Sequence, residues 1–287
     1  MSLSRLLDGG RPGVEGMSPF TLADYTDEIL GSGFPAVRRL AGRARRAQLD
    51  GYLARIVDHD FPEQGHRVRR PRTLRAWLTA YAAATSTTAK YGVILDAATA
   101  GESEKPAKTT VIAYRDVLSQ LWILDPVPGW VPTRNHFTRL QQSPKHHLAD
   151  PALAARLLGA TQASLLTGAE TGPSFPRDGT LLGALFESLA ALTLRVAAQV
   201  AEATVHHLRT ATGVHEVDFI IERADHRVLA VEVKLAASVE DQDVVHLKWL
   251  RSQLGPDLVD SVVITTGPEA YRRPDGIAVV PLALLGA

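Results

Sequence analysis

The sequence predicts a mixed α+β chain in two parts: a helical N-terminal half, then a half ordered helix, three strands, helix, strand. Three observations carry that reading. Apolar residues recur at helical spacing from residue 36 to about 84, and again at Val111, Tyr114, Leu118 and Leu121. Residues 180–203 contain no proline and read as one long amphipathic helix. Beyond them, residues 204–210, 215–222 and 227–236 alternate polar and apolar side chains, separated by a turn at Gly213 and by "RADH".

The elements follow in order. Residues 1–35 are rich in Gly, Pro and Ser, with "DGGRPGVEG" near the start, and predict an extended arm or linker. Residues 36–140 form the helical part. "TLRAWLTAYAAAT" resumes helix after Pro71, and "KYGVILDAAT" is a further short helix. Thr109 or Thr110 can cap a helix over 109–121, after which "WILDPVPGWV" turns extended. Short helices followed by an extended hairpin have the order of a winged helix; a plain helical bundle fits the same residues. In a winged helix the 109–121 segment would read a nucleic-acid groove, offering Lys108, Thr109, Thr110 and Arg115. From 141 to 287, Pro144 and Asp150-Pro151 punctuate a short strand and a short helix ahead of the long one. After the three strands, a helix over 239–255 and a strand over 260–267 complete the order.

A chain of 287 residues is long enough for two domains with cores of their own. Its 31 basic and 31 acidic residues cancel, so whole-chain charge points to no partner. The distribution is uneven. Residues 34–75 hold eleven arginines, Arg69, Arg70 and Arg72 among them, against four acids. This cluster is either a solvated helical face or a surface that contacts phosphate, of DNA or of a nucleotide on a partner ATPase. The absence of cysteine excludes disulfides and thiolate metal sites. The N-terminus lacks a signal-peptide pattern, and no uninterrupted apolar run reaches the ~18 residues of a membrane span. A soluble cytoplasmic protein without a membrane partner is therefore expected; the oligomeric state is left open. No nucleophile elbow or dinucleotide fingerprint occurs.

The chemistry-bearing stretch is "HEVDFIIERADHRVLAVEVK", which puts Asp218, Glu232 and Lys234 on strands. With the turn centred near residue 225, Asp218 falls opposite Glu232. Opposed Cβ atoms lie about 4.5–5.5 Å apart, so the two carboxylates repel unless a cation lies between them. Their oxygens suit Mg²⁺ or Mn²⁺. Lys234, on the same face as Glu232, can orient a water or offset charge on a phosphate. Glu187, in "GALFESL", can be aimed at the same cluster from the preceding helix, packed through Leu185, Phe186 and Leu189. The bland alternative is a structural ion-pair set in which Lys234 bridges both acids. His146-His147 and His206-His207 are adjacent pairs on extended chain, so the members of each point to opposite faces and do not chelate one metal. His215 should face away from Asp218 by parity. Trp77, Trp122, Trp130 and Trp249 read as packing aromatics.

These residues carry a resemblance. A helix Glu, a strand Asp and Glu-x-Lys, in an α-β-β-β-α-β order, resemble the core of the PD-(D/E)XK, or restriction-endonuclease-like, nuclease superfamily. Over residues 31–234, "GSGFPAV", "YLARIVDHDF", "TTVIAYRDVLSQLWILDPVPGW", "SPKHHLADPAL", "GALFESL", "GVHEVDFII" and "LAVEVK" resemble the C-terminal portion of prokaryotic AAA-type ATPases. That portion joins a winged helix to an uncharacterised nuclease-like domain. The resemblance implies metal-assisted phosphodiester hydrolysis. Asp218 and Glu232 would hold Mg²⁺ or Mn²⁺, Lys234 would position water, and Glu187 would anchor the metal shell or a second ion. The implied partners are DNA and an AAA-type ATPase segment. It equally implies a non-catalytic DNA- or protein-binding module, since relatives use the same core for binding. The chain departs from the ATPase pattern in having no "GK", and so no P-loop for ATP. A smaller departure is His59, where a basic residue is expected.

Overall fold

The computed structural model describes residues 1–65, 71–100, 106–132, 142–166 and 179–287. They form two compact units. One comprises Met1–Tyr25, Val127–Pro144 and Leu189–Ala287; the other comprises Thr26–Pro126 and Lys145–Ser188. The chain is thus divided differently from the expected 1–35, 36–140 and 141–287, and both units are discontinuous in sequence.

The first unit is built on an eight-stranded mixed sheet in the order β1-β7-β8-β6-β5-β4-β3-β2. The strands are β1 (Gly16–Met17), β2 (Gly129–Trp130), β3 (Thr204–Arg209), β4 (Glu216–Glu222), β5 (Val228–Lys234), β6 (Leu258–Thr265), β7 (Glu269–Arg272) and β8 (Ala278–Pro281). β3, β4 and β5 form an antiparallel meander, and β5, β6 and β8 run parallel. In the turn between β4 and β5, Arg223 N–H donates to the Arg227 carbonyl at 3.0 Å and His226 takes a positive φ of 65°. The parallel step from β5 to β6 needs a crossover, supplied by a 3₁₀ turn (Asp241–Val244) and the helix Val245–Leu254. Val244, Leu247 and Leu250 of that crossover pack on Val217, Ile220, Ala230 and Val263. Successive residues 228–231 and 262–264 are all buried, so both faces of the central strands are covered. That explains why β5 and β6 read as near-continuous apolar runs.

Residues 1–25 are not the arm that their glycines and prolines suggest. Leu3, Leu6 and Leu7 of a short helix, Leu3–Leu7, are fully buried, and Leu3 N–H donates to the Gly286 carbonyl at 2.8 Å. β1 pairs with β7. Three leucines in "SLSRLL" outweigh the turn-forming residues, which mark bends between short docked pieces.

The β7–β8 turn carries an ion-pair network on the crossover helix. Burial alone would raise the Asp275 carboxyl. Hydrogen bonds from Arg273, Lys248 and the Ile277 N–H outweigh it and hold it near about 2. A depressed carboxyl contributes stability above its unfolded value of 3.8, and that contribution is lost as pH falls through about 2. Asp275→Asn is therefore expected to lower stability by about 1–2 kcal/mol near neutral pH, with the difference from wild type vanishing once the Asp275 carboxyl is protonated in the folded as well as the unfolded chain. Urea unfolding at several pH values checks it.

The second unit is helical. Its described helices are Leu22–Gly31 (from Thr26), Pro35–Arg38, Gly42–Arg55, Phe61–Glu63, Pro71–Ala83, Tyr91–Ala98, Lys108–Gln120, Pro151–Leu157, Gln162–Leu166 and the first half of Gly179–Val200. A π-helical turn, Ile56–Asp60, joins two of them. The core is aromatic. Trp77 stacks on Tyr81 at 5.4 Å, and Phe61 and Trp77 meet Tyr114 edge-on. Asp150 caps the helix Pro151–Leu157 through Ala152 N–H at 2.8 Å. Its other oxygen accepts from Ser32 Oγ and Gly33 N–H, both at 2.7 Å, which ties "GSGF" to "ADPAL".

Two expectations change here. Among the described residues no two-stranded wing follows the helix Lys108–Gln120. Leu124 bridges Leu148, and β2 joins the sheet beside β3 in parallel. Extended sequence alone does not name its partner strand, which is how a hairpin was expected. Trp122 is 80% exposed, not a packing residue. It takes a positive φ of 57° just past the helix C-cap, and the turn aims its ring outward. By length and a mean hydropathy of 1.6, Leu181–Val200 could cross a membrane, but half of that window is buried inside the protein and Glu187 and Arg195 interrupt it. It is what a core helix looks like.

Candidate functional site

The β4–β5 register runs from Glu222↔Val228 to Phe219↔Val231, and the residues next in line are Asp218 and Glu232. At that point the Asp218 side chain substitutes for a backbone acceptor: Val233 N–H donates to Asp218 Oδ2 at 2.9 Å. Glu232 is buried, at 3% exposure, and Lys234 Nζ lies 3.4 Å from Glu232 Oε2. Burial alone would lower the Lys234 ammonium; the Glu232 and Asp218 carboxylates, with Asp243, outweigh it and raise it. Lys234 is therefore a fixed cation across the neutral range. It is also the last residue of β5, at the carboxyl end of a parallel β5–β6 pair, where ligands of open α/β sheets bind.

The crossover brings further residues to this end of the sheet. Asp243 is locked in a capping box with Glu240. Burial, His215 and Lys234 lower His246, while Asp218 and Glu216 oppose them. His246 Nδ1 lies 3.3 Å from His215 Nδ1, and the His215 ring stacks on Trp249 at 4.0 Å and 5°. His215, expected to face away from Asp218, thus joins the group through His246. His246 and Asp243 were missed from sequence. The available signal was the short connection "LAASVEDQD", which returns the helix Val245–Leu254 close to the end of β5.

Glu187 lies in the helical unit, where Lys145 Nζ donates to its Oε1 at 2.9 Å. The structure thus brings Asp218, Glu232 and Lys234 together and gives Glu187 a lysine of its own. Of the expected nucleic-acid contacts, Arg69 and Arg70, and the side chain of Lys108, lie outside the described residues. Arg72 and Thr109 are exposed. Thr110 is half-buried near the helix start. Arg115 pairs with Asp116 at 2.8 Å and lies 5.6 Å from the Tyr91 ring. The histidine pairs have structural partners. His146 bonds Tyr81 Oη and the Ala89 carbonyl, and His207 bonds the Ser143 carbonyl.

Chemically, the site offers two neighbouring carboxylates, one of them buried, and one fixed cation. Such oxygen donors fit a hard divalent ion. Among the described residues no group of three or more His, Asp or Glu is placed to hold a metal. Mg²⁺ needs no such group, since it commonly takes one or two carboxylates, waters and substrate phosphates.

Residues 182–285 match the family model of a domain of unknown function, DUF4143. This domain is associated with AAA-type ATPases. The DUF4143 match contains Glu187, Asp218, Glu232, Lys234 and His246. Residues 22–164 match a second domain of unknown function, DUF8612. No curated protein and no solved structure matches the chain.

Proposed function

We propose that the DUF4143 region is a nuclease-like DNA-processing module that acts with an AAA-type ATPase and has no nucleotide site of the P-loop kind itself. The observation that carries the proposal is that Asp218 and Glu232 both lie near Lys234, at the carboxyl end of β5. Two acids held close together in a sheet are costly unless a function or a cation uses them. A bound Mg²⁺ or Mn²⁺ would supply Lewis acidity and a more acidic water. Asp218 and Glu232 would hold it. Val233 N–H orients the Asp218 carboxylate, and burial fixes Glu232. Lys234 positions water or offsets charge on the phosphate. Glu187 is not required by this reading.

One observation favours a second reading, a non-catalytic binding module. Lys234 already bridges to Glu232, and Asp218 already accepts from the backbone, so both acids have partners within the fold.

Incubation with duplex and single-stranded DNA and Mg²⁺ or Mn²⁺ separates the two. Asp218→Asn keeps an acceptor for Val233 N–H, and Lys234→Met keeps the packed stem. The first reading expects cleavage that falls at least about a hundredfold in both variants. Retardation of DNA without cleavage supports the second. Cleavage unchanged by either substitution excludes this site.

A further inference from the structure

We infer that the helical unit carries a phosphate-binding cleft, independent of the proposed hydrolytic site. A cleft of about 290 Å³ is lined by Arg45, Arg46 and Arg156, with Thr161, Gln162 and one carboxylate residue, Asp27. The remaining wall is apolar. With Arg156 paired to Asp50, the lining of Arg45, Arg46 and Asp27 still leaves an excess of positive charge, which an anion in the cleft would offset.

Two of the three are preorganised. Arg156 is clamped by Asp50 through two hydrogen bonds, 2.6 Å and 2.7 Å long. Arg45 Nε donates to the Leu40 carbonyl at 2.9 Å, which fixes the plane of its fork and leaves its terminal nitrogens out of that bond. Arg46 is exposed and adjustable. Its charge is felt nearby. The Arg156 hydrogen bond is the largest influence lowering the Asp50 carboxyl; burial opposes it, and the charges of Arg156, Arg46 and Arg75 add to the lowering. The forks of Arg45 and Arg46 can meet the several oxygens of a phosphate, while Arg156, whose fork is taken by Asp50, holds its side of the cleft in place. The volume takes a phosphate with a small organic part. A nucleic-acid duplex does not fit inside it, but a terminal phosphate of a strand does. The shared chemistry is therefore a phosphate group, from a small molecule or from a polynucleotide end.

Calorimetric titration of the full chain at low salt tests this, with inorganic pyrophosphate in one arm and a 5′-phosphorylated single strand, against its 5′-hydroxyl counterpart, in the other. Whichever phosphate compound binds is expected to lose at least about tenfold in affinity in Arg45→Gln/Arg46→Gln, as loss of charge-assisted forks requires. Arg43→Gln, on the same helix but not in the cleft, is expected to leave affinity unchanged. Pyrophosphate binding names a small molecule as the source. Binding of the phosphorylated strand alone names a polynucleotide end. Arg46→Gln keeps the test open if loss of the Arg45–Leu40 bond unfolds the unit; a loss of affinity there in the same direction supports the cleft. Binding that survives the substitutions, or no phosphate binding by wild type in either arm, overturns it.

Discussion

Replacing Lys145 with alanine is expected to destabilise the helical unit by about 3–5 kcal/mol, because the change leaves a carboxylate in a poorly solvated place without its cation. The Lys145 side chain is 1% exposed and that of Glu187 15%. The residue after Lys145 is held by two backbone bonds. His146 N–H donates to the Thr87 carbonyl, Ser86 N–H donates to the His146 carbonyl, and Ser86 Oγ reaches the Ala184 carbonyl one turn from Glu187. For a unit of this size the loss corresponds to a fall in melting temperature on the order of 10 °C. Glu187→Gln is expected to cost a comparable amount, since it strands the lysine. Lys145→Met/Glu187→Leu should recover most of the stability, because replacing both partners by apolar groups removes the desolvation cost together with the attraction. Thermal and urea unfolding of the three variants checks the pattern. A double variant no more stable than either single one would show that the pair is needed for something besides charge balance.

The Lys145 result also bears on what the sequence shows. Glu187 is legible as a polar interruption in an apolar helix, and its apolar neighbours Leu185 and Phe186 are buried as that pattern requires. Its partner is not legible. Lys145 lies 42 residues earlier, in a stretch whose two histidines attract attention first. Local periodicity fixes which face a residue occupies and says nothing of which distant segment meets that face. The strand pairing is the opposite case. β4 and β5 are joined by a tight turn, so counting outward from residue 225 is enough to set the register seen from Glu222↔Val228 to Phe219↔Val231. The crossover residues Asp243 and His246 fall between these cases. Their helix was legible, but its position depends on the parallel β5–β6 step, which no hairpin rule supplies. The two units illustrate the same limit at larger scale. Chain order suggested a boundary near residue 140, whereas residues 1–25 and Val127–Pro144 are recruited to the sheet by pairings remote in sequence.

Arg272→Ala should have the largest effect on the sheet unit, about 3–5 kcal/mol, for a reason that starts with β6. Asp260 lies in the middle of the sheet with its side chain wholly buried. A carboxylate there is tolerable only if its lone pairs are taken. Arg272 on β7 donates to both of its oxygens at 2.9 Å, and Ser261 N–H donates to Oδ1 at 2.8 Å. The same guanidinium donates to the Gly276 carbonyl at 2.7 Å and the Pro12 carbonyl at 2.9 Å. It therefore ties the β7–β8 turn and the N-terminal segment to one buried acid. Truncation strands Asp260 and unmakes the carbonyl contacts at once. Arg272→Lys cannot rescue it, since a single ammonium does not reproduce the fork that meets both carboxylate oxygens. Two measurements check this. Chemical unfolding gives the loss of stability. Hydrogen exchange should show lost protection first around Pro12 and in β1, which Arg272 and β7 hold, before the β4–β5 centre. If protection fell uniformly across the sheet, Arg272 would be acting on the global stability of the unit alone and the N-terminal segment would not depend on it separately.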